Sequence, residues 1–246
     1  CVRGMSASLS SEKLKSIRAI LFDKDGTLID FDRTWFTVSW NLAQRTANGD
    51  EHRAKSLLDA GGYDWEASRF RANSVIAAGT VEDIVQLWHP DIDEAGFKAK
   101  IAEFDSYTVA EGARSAVAIE GLKETLETLR EMGFILGIAT NDSEAGAHAT
   151  AKALGIDHLF DVVIGYDTAE RPKPFADPLI YFAKKVGLEP GAIAMVGDNL
   201  HDLETAHAAK AGLGVGVLSG NSPREALEPH ADVVLDSIAD LPALFK

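Results

Sequence analysis

Asp23 and Asp25 stand two residues apart in the run Asp23-Lys24-Asp25-Gly26-Thr27-Leu28. A carboxylate can attack phosphorus and form an acyl phosphate. A second carboxylate beside it can protonate the leaving oxygen and later deprotonate water. Gly26 lets the chain turn sharply where its backbone must lie close to a ligand. Taken alone, D-x-D also suits a plain turn, because Asp bonds readily to its own backbone. The full six-residue run, placed directly after the apolar stretch Ile17 to Phe22, is harder to explain that way.

Two more apolar stretches end in polar residues, at Thr140-Asn141 and at Gly197-Asp198, and Lys173 stands between Pro172 and Pro174. Each has an ordinary structural explanation. Thr140 and Asn141 suit a helix cap, Lys173 a solvated loop, and Asp198 with Asp202 a turn leading into a helix. Their convergence matters more than any one of them. Open parallel sheets bind ligands at the carboxyl ends of their strands. If the three stretches are neighbouring strands, all these side chains share one rim.

The elements needed for that arrangement are readable. Ile17 to Phe22, Phe134 to Ala139, Ala192 to Val196, Gly214 to Leu218 and the short Val162 to Ile164 and Val233 to Leu235 read as strands. Runs apolar on both faces mark buried parallel strands. Helical patterns alternate with them: Leu122 to Met132, Glu144 to Leu154, Asp177 to Val186 and Asp202 to Lys210. Alternation of this kind predicts an α/β fold, a parallel sheet covered on both faces. Between the first strand and the rest lies an Ala-rich stretch with helices expected over Trp35 to Ala47, Glu51 to Ala60, from Thr80 onward and over Glu94 to Tyr107, and with no convincing strand.

Composition narrows the classes of function. The chain has 246 residues, 46% hydrophobic, with a formal net charge of −14. That is enough for a substantial core. It disfavours nucleic acid and anionic lipid as partners, because no basic run offsets the acidity. An acidic protein that binds a phosphate ester needs a cation or focused donors at the site. No apolar run has membrane-spanning length. Cys1 is the single cysteine, which rules out an intrachain disulfide and fits a reducing, cytoplasmic setting. Residues Cys1 to Gly4 precede Met5 and read as an upstream extension, and no signal-peptide pattern follows. His148, His158, His201 and His207 show no metal-ligand spacing.

Asp23-Lys24-Asp25-Gly26-Thr27-Leu28 resembles the first motif of the haloacid dehalogenase superfamily, in which the first Asp is the nucleophile and the second the general acid/base. Thr140 resembles the second motif, Lys173 in Arg171-Pro172-Lys173-Pro174 the third, and Gly197-Asp198 through Asp202 the fourth, in the family's order. The resemblance implies a Rossmann-like core over 16–31 and 115–246 and an inserted helical cap over 32–114. It implies catalytic roles for Asp23, Asp25, Thr140 and Lys173, phosphate contacts from Thr140, Asn141 and Lys173, and a supporting Asp202. Mg²⁺ is then expected on Asp23, Asp198 and a main-chain oxygen of Asp25, offsetting the meeting of a carboxylate with a phosphate dianion.

Branches of the superfamily differ at readable positions. Dehalogenases and phosphonatases lack the second Asp, which this chain has as Asp25. The pattern looks most like the phosphoglycolate phosphatase branch, with Glu120-Gly121 where Pro-Gly is usual. The expected activity is hydrolysis of a small phosphorylated metabolite, 2-phosphoglycolate being one candidate. A mutase of the β-phosphoglucomutase type remains open, as does a non-catalytic phosphate binder, and the oligomeric state is not legible. Tyr63, Arg69 and Arg71 resemble the cap's specificity loop in position, where an arginine would grip an anionic leaving group or else sit on a solvated face.

Overall fold

The computed structural model describes residues 10–246, so the expected extension Cys1 to Gly4 and Met5 lie outside the described residues. A short helix α1 (Ser11–Ser16), capped by Ser10, leads into strand β1 (Ala19–Phe22). The chain then leaves the sheet for α2 (Phe31–Thr46), α3 (Glu51–Ala60), a two-stranded hairpin of β2 (Tyr63–Asp64) and β3 (Arg69–Phe70), α4 (Val75–Ala78), α5 (Val81–Trp88) and α6 (Glu94–Ser115). It returns through α7 (Leu122–Glu131), β4 (Ile135–Ala139), α8 (Glu144–Ala153), β5 (Val162–Ile164) and α9 (Asp177–Val186). The last elements are β6 (Ile193–Gly197), α10 (Leu200–Ala209), β7 (Leu213–Val217), α11 (Arg224–Leu227), β8 (Val233–Leu235) and α12 (Leu241–Leu244).

The six long-range strands form one sheet in the order β5-β4-β1-β6-β7-β8, every pairing parallel. This is the Rossmann-like α/β core expected from the alternation of strands and helices. β1 lies between β4 and β6, with Phe22 level with both Ile138 and Val196. The chain order reverses at this strand, which opens a crevice at the carboxyl ends. Both faces of the sheet are buried. Ile20 and Phe22 pack toward Leu126 and Leu129 of α7, while Ala19 and Leu21 pack toward Leu179 and Phe182 of α9. That is why the strands read as unbroken apolar runs rather than alternating ones. Each fully buried side chain such as Phe182 contributes about 1.5–3 kcal/mol.

The inserted helices carry cores of their own. Leu42, Val85, Trp88 and Phe104 cluster between α2, α5 and α6, and Phe31, Leu58, Tyr63 and Phe70 cluster around the hairpin. Three details depart from the sequence reading. The hairpin was not expected, because two-residue strands leave no alternation to detect; its turn is built by the Asp64 carboxylate accepting from the Glu66 and Ala67 amides, with Ser68 at φ 54°. α6 runs to Ser115, well past Tyr107, since Gly112 packs beneath the Trp35 ring instead of ending the helix. The helix expected to begin at Asp202 begins at Leu200, because Asn199 and Asp202 form a reciprocal capping box.

Gly137 in β4 faces Phe182 so closely that an added Cβ would lie 2.5 Å from the ring. Gly137→Ala is therefore expected to cost about 1–3 kcal/mol through overpacking, seen as a lowered urea midpoint. Phe182→Leu in the same chain should recover part of the loss.

Candidate active site

The carboxyl ends of β1, β4 and β6 place Asp23, Thr140 and Asp198 side by side, each directly after the last residue of its strand. The three are almost fully buried. The loop after β1 is drawn tight by Leu28 and Ile29 amides donating to the Lys24 carbonyl and by the Gly26 amide donating to Ile29. Gly26 sits at φ +84°, a conformation that favours glycine, and an added Cβ there would lie 2.5 Å from an Asp198 oxygen. The loop after β7 closes in from the other side. Ser219 donates to the Gly26 carbonyl at 2.7 Å, and the Asn221 amide donates to Asp198 Oδ2 at 3.1 Å.

Lys173 reaches into this crevice. Its Nζ donates to Asp23 Oδ1 at 2.6 Å and to Asp202 Oδ1 at 2.7 Å. Burial pulls its pKa down, but Asp202 and Asp23 more than offset this and raise it, so the ammonium is held charged. The second oxygen of Asp202 accepts from the Asn199 amide at 3.0 Å. Both oxygens of Asp202 are thus engaged in fixing Lys173 and the start of α10. Asn141, expected to touch phosphate, grips the Lys173 backbone instead: its Oδ1 accepts from Lys173 N and its Nδ2 donates to the Lys173 carbonyl, both at 3.1 Å. Nδ2 also donates to Ala78 O at 2.8 Å. The amide is spent on positioning Lys173 and on joining α4 to the core.

A second cation was not foreseen. Lys24, between the two aspartates of the first motif, turns inward and is 1% exposed. Its Nζ lies 2.7 Å from Asp25 Oδ2 and 3.2 Å from Asp142 Oδ2, an ion pair without a well-aligned hydrogen bond. Burial opposes its charge, yet Asp25 and Asp142 raise its pKa. Asp25 also accepts from Trp35 Nε1, on α2, and lies 3.5 Å from the Thr140 hydroxyl. Its carboxylate therefore faces the inserted helices, while Asp23 faces Lys173. Neither Lys24, Asp142 nor Trp35 carries a sequence signal of its own; their roles come from burial and from α2 folding back over the loop.

Asp23, Asp25, Thr140, Asn141, Lys173 and Asp202 all line one cavity between the sheet edge and the inserted helices, with His201 beside them. Tyr63, Arg69 and Arg71 do not. Tyr63 is packed among Phe36, Trp65 and Phe70. Arg71 is exposed and paired with Asp59 at 3.3 Å. Arg69 is exposed on the hairpin. The hairpin packs against Phe31 and Leu58, and the Phe70 amide donates to Asp32 on α2, so these three side chains stay outside the lining of the cavity in which they were expected to meet a leaving group.

The residues fit the Mg²⁺ expected from the resemblance. Five carboxylates, Asp23, Asp25, Asp142, Asp198 and Asp202, face two ammonium groups, Lys24 and Lys173. Burial first, then the neighbouring aspartates, pushes Asp23 up to about 7 and holds Asp198 well above the carboxylate range. A divalent cation would restore both charges, and hard oxygen donors are what Mg²⁺ takes. Oxygens of Asp23, Asp198 and Asp202 come within 4.8 Å of one another. Both Asp202 oxygens are engaged, whereas Asp23 and Asp198 each have only one oxygen held by a hydrogen bond and keep the other for a cation. The space beside Asp198 is kept open by glycines, as an added Cβ at Gly220 would lie 1.8 Å from its Oδ2.

The model of the haloacid dehalogenase-like hydrolase family matches residues 17–210. The chain is 29% identical over 237 residues to a phosphoglycolate phosphatase of Chromobacterium violaceum, covering 95% of the chain and 98% of that protein. It is 28% identical over 244 residues to the phosphoglycolate phosphatase of Escherichia coli, covering 94% of each. A shorter match, 40% identical over 121 residues, is to the phosphoglycolate phosphatase of Mannheimia succiniciproducens and spans 49% of the chain and 54% of that relative, about half its length. Among solved structures, a predicted phosphoglycolate phosphatase from Haemophilus somnus superposes with a TM-score of 0.70 at 25% identity over 94% of the chain and 99% of its own. A haloacid dehalogenase-like family protein from Streptococcus pneumoniae superposes with a TM-score of 0.69 at 21% identity over 94% and 100%, a likeness of fold.

The raised pKa of Asp23 has a measurable consequence. A carboxyl whose folded pKa exceeds its unfolded value stabilises below the unfolded pKa, and that stability is lost as pH rises through the folded one. Between about pH 4 and pH 7 this group destabilises the cation-free protein progressively. The rise in Tm on adding millimolar Mg²⁺, read by thermal denaturation, should therefore grow from pH 5 to pH 7.5. A shift that is flat or shrinks over that range contradicts the assignment.

Proposed function

The chain belongs to the haloacid dehalogenase-like hydrolase family, and on that premise we propose that it is a phosphoric monoester hydrolase that uses Asp23 as a covalent nucleophile. The observation that carries the reading is the bridge from Lys173 Nζ to Asp23, at the point where the sheet order reverses. An Asp23 oxygen attacks the phosphorus as the bond to the leaving oxygen breaks, giving an aspartyl phosphate. Asp25, turned toward the inserted helices, gives its proton to that leaving oxygen. It then takes a proton from the water that attacks the aspartyl phosphate, which releases inorganic phosphate and restores Asp23.

Lys173 and the Thr140 hydroxyl meet the charge on the transferring phosphoryl group. Asp202 holds Lys173 in place, and the ion pair with Lys24 fixes the orientation of Asp25. Asp23, Asp198 and the Asp25 carbonyl would hold Mg²⁺, which would supply positive charge to offset the meeting of a carboxylate with a phosphate dianion. Residues 32–114 act as the cap, shielding the site from bulk water during the first step, over a core of 16–31 and 115–246. The substrate is a small phosphorylated metabolite. Phosphoglycolate, for which the relatives are named, is the first to try. A single cysteine suits a cytoplasmic setting for such chemistry.

Chelation should abolish phosphate release and added Mg²⁺ should restore it; full turnover in chelator contradicts the reading. Asp23→Asn should lower kcat on the order of 10⁴ or more, as for loss of a nucleophile. Asp25→Asn should cost roughly 10²–10⁴ while letting the phosphoenzyme build up with a good leaving group, detectable by acid quench and mass spectrometry. Native turnover by Asp23→Asn would place the nucleophile elsewhere.

A further inference from the structure

The half of the cavity that faces away from Asp23 is walled by apolar side chains of the inserted helices. Val38 and Leu42 come from α2, Ile76 from α4, and Val81, Ile84 and Trp88 from α5. Among the described residues, no Lys or Arg of 31–115 lines it. Lys173 is the one ammonium on the wall, and Asp23 and Asp202 already hold it.

The polar atoms on the wall are largely engaged as well. The amide of Asn141 is bound to backbone atoms, and the Thr108 hydroxyl donates to the Asp105 carbonyl at 3.2 Å. At the start of α5 the Asp83 carboxylate accepts from the Thr80 amide at 2.7 Å and from its hydroxyl at 2.9 Å, which places a negative charge beside the end where an anion would dock. The floor carries Asp25 and Asp142, which already share the Lys24 ammonium, so it offers a second anionic group no free cation. Ser39, and His201 with Nδ1 3.2 Å from the Ala78 carbonyl, remain to meet a neutral polar atom. A carboxylate seated among these walls would find the Ser39 hydroxyl and the His201 imidazole but no Lys or Arg of the inserted helices to offset its charge, an arrangement that disfavours the charged form.

We infer that the leaving group this enzyme accepts is uncharged and apolar, so that its preferred substrates are phosphate monoesters of neutral alkyl or aryl alcohols rather than of hydroxy acids. The inference rests on the phosphatase reading for its chemistry and on the chamber for its selectivity. The chamber does for the alcohol portion what the rim residues do for the phosphate. The inserted helices would thus discriminate by transfer of apolar surface out of water, without a charge-assisted contact.

The test measures kcat/KM with Mg²⁺ for ethyl, propyl and butyl phosphate, phosphoglycolate and p-nitrophenyl phosphate. Expected is a rise of about fourfold per methylene along the alkyl series, with butyl phosphate at least tenfold above phosphoglycolate. Phosphoglycolate equal to or better than butyl phosphate, or an alkyl series without dependence on length, overturns the inference while leaving the phosphatase reading intact. Failure to hydrolyse any of the five overturns the phosphatase reading instead; calorimetric affinities of butyl phosphate and phosphoglycolate then decide the chamber's preference by the same tenfold criterion. Ile84→Arg places a cation in the wall and should lower the butyl-to-glycolate ratio at least tenfold. Should that variant not fold, the wild-type series decides alone.

Discussion

Lys173 sits between Asp23 and Asp202 with its whole side chain out of water. Charges buried this way are tolerated only when paired and hydrogen-bonded, and removing one partner typically costs about 3–5 kcal/mol. Much of the crevice is arranged around that requirement. Asp202 is fixed by the Asn199 amide at the start of α10, and the Lys173 backbone is gripped on both sides by Asn141. Even so, carboxylates outnumber ammonium groups at the rim. Burial first, and the remaining negative charge after it, raise Asp23 and Asp198, and that excess makes the site a receptor for a cation before any substrate arrives.

The same buried charges tie the inserted helices to the sheet. Trp35 on α2 donates to Asp25, and Lys24 lies 5.2 Å from the centre of the Trp35 ring. The Ala78 carbonyl at the end of α4 is met by Asn141 and approached by His201. Farther out, Tyr166 donates to Asp105 on α6 at 2.8 Å, and burial pushes that carboxyl up to about 6. Beside these polar contacts, helix α6 of the insert packs closely along α8 of the core. The apolar cores of the insert and of the sheet are otherwise separate clusters.

Two selectivities are therefore built from different physics. Phosphate recognition depends on fixed charges at strand ends, which any phosphate ester would meet in the same way. Recognition of the alcohol depends on a chamber of side chains from α2, α4 and α5, where no Lys or Arg of the inserted helices offsets a charge. Kinship over nearly the full length to enzymes named for phosphoglycolate speaks to the first and not to the second.

The fold was legible in the sequence because its signals are local. Unbroken apolar runs, each ending in a polar residue and each followed by a helical period, are enough to predict parallel strands covered on both faces, and so to bring Asp23, Thr140 and Asp198 to one rim. Asp25, Lys173 and Asp202 followed from motif order. The hairpin was not legible, since two-residue strands carry no period. Only the tertiary structure turned Asn141 from a phosphate contact into a clamp on the Lys173 backbone, and buried Lys24 between Asp25 and Asp142. It also left Tyr63, Arg69 and Arg71 outside the cavity lining and put Trp35 and Ile84 in it. Those outcomes depend on how helices pack against one another and against the sheet. Such packing joins residues distant in the chain, and the periodicity of a single helix shows which face it buries but not what that face will meet.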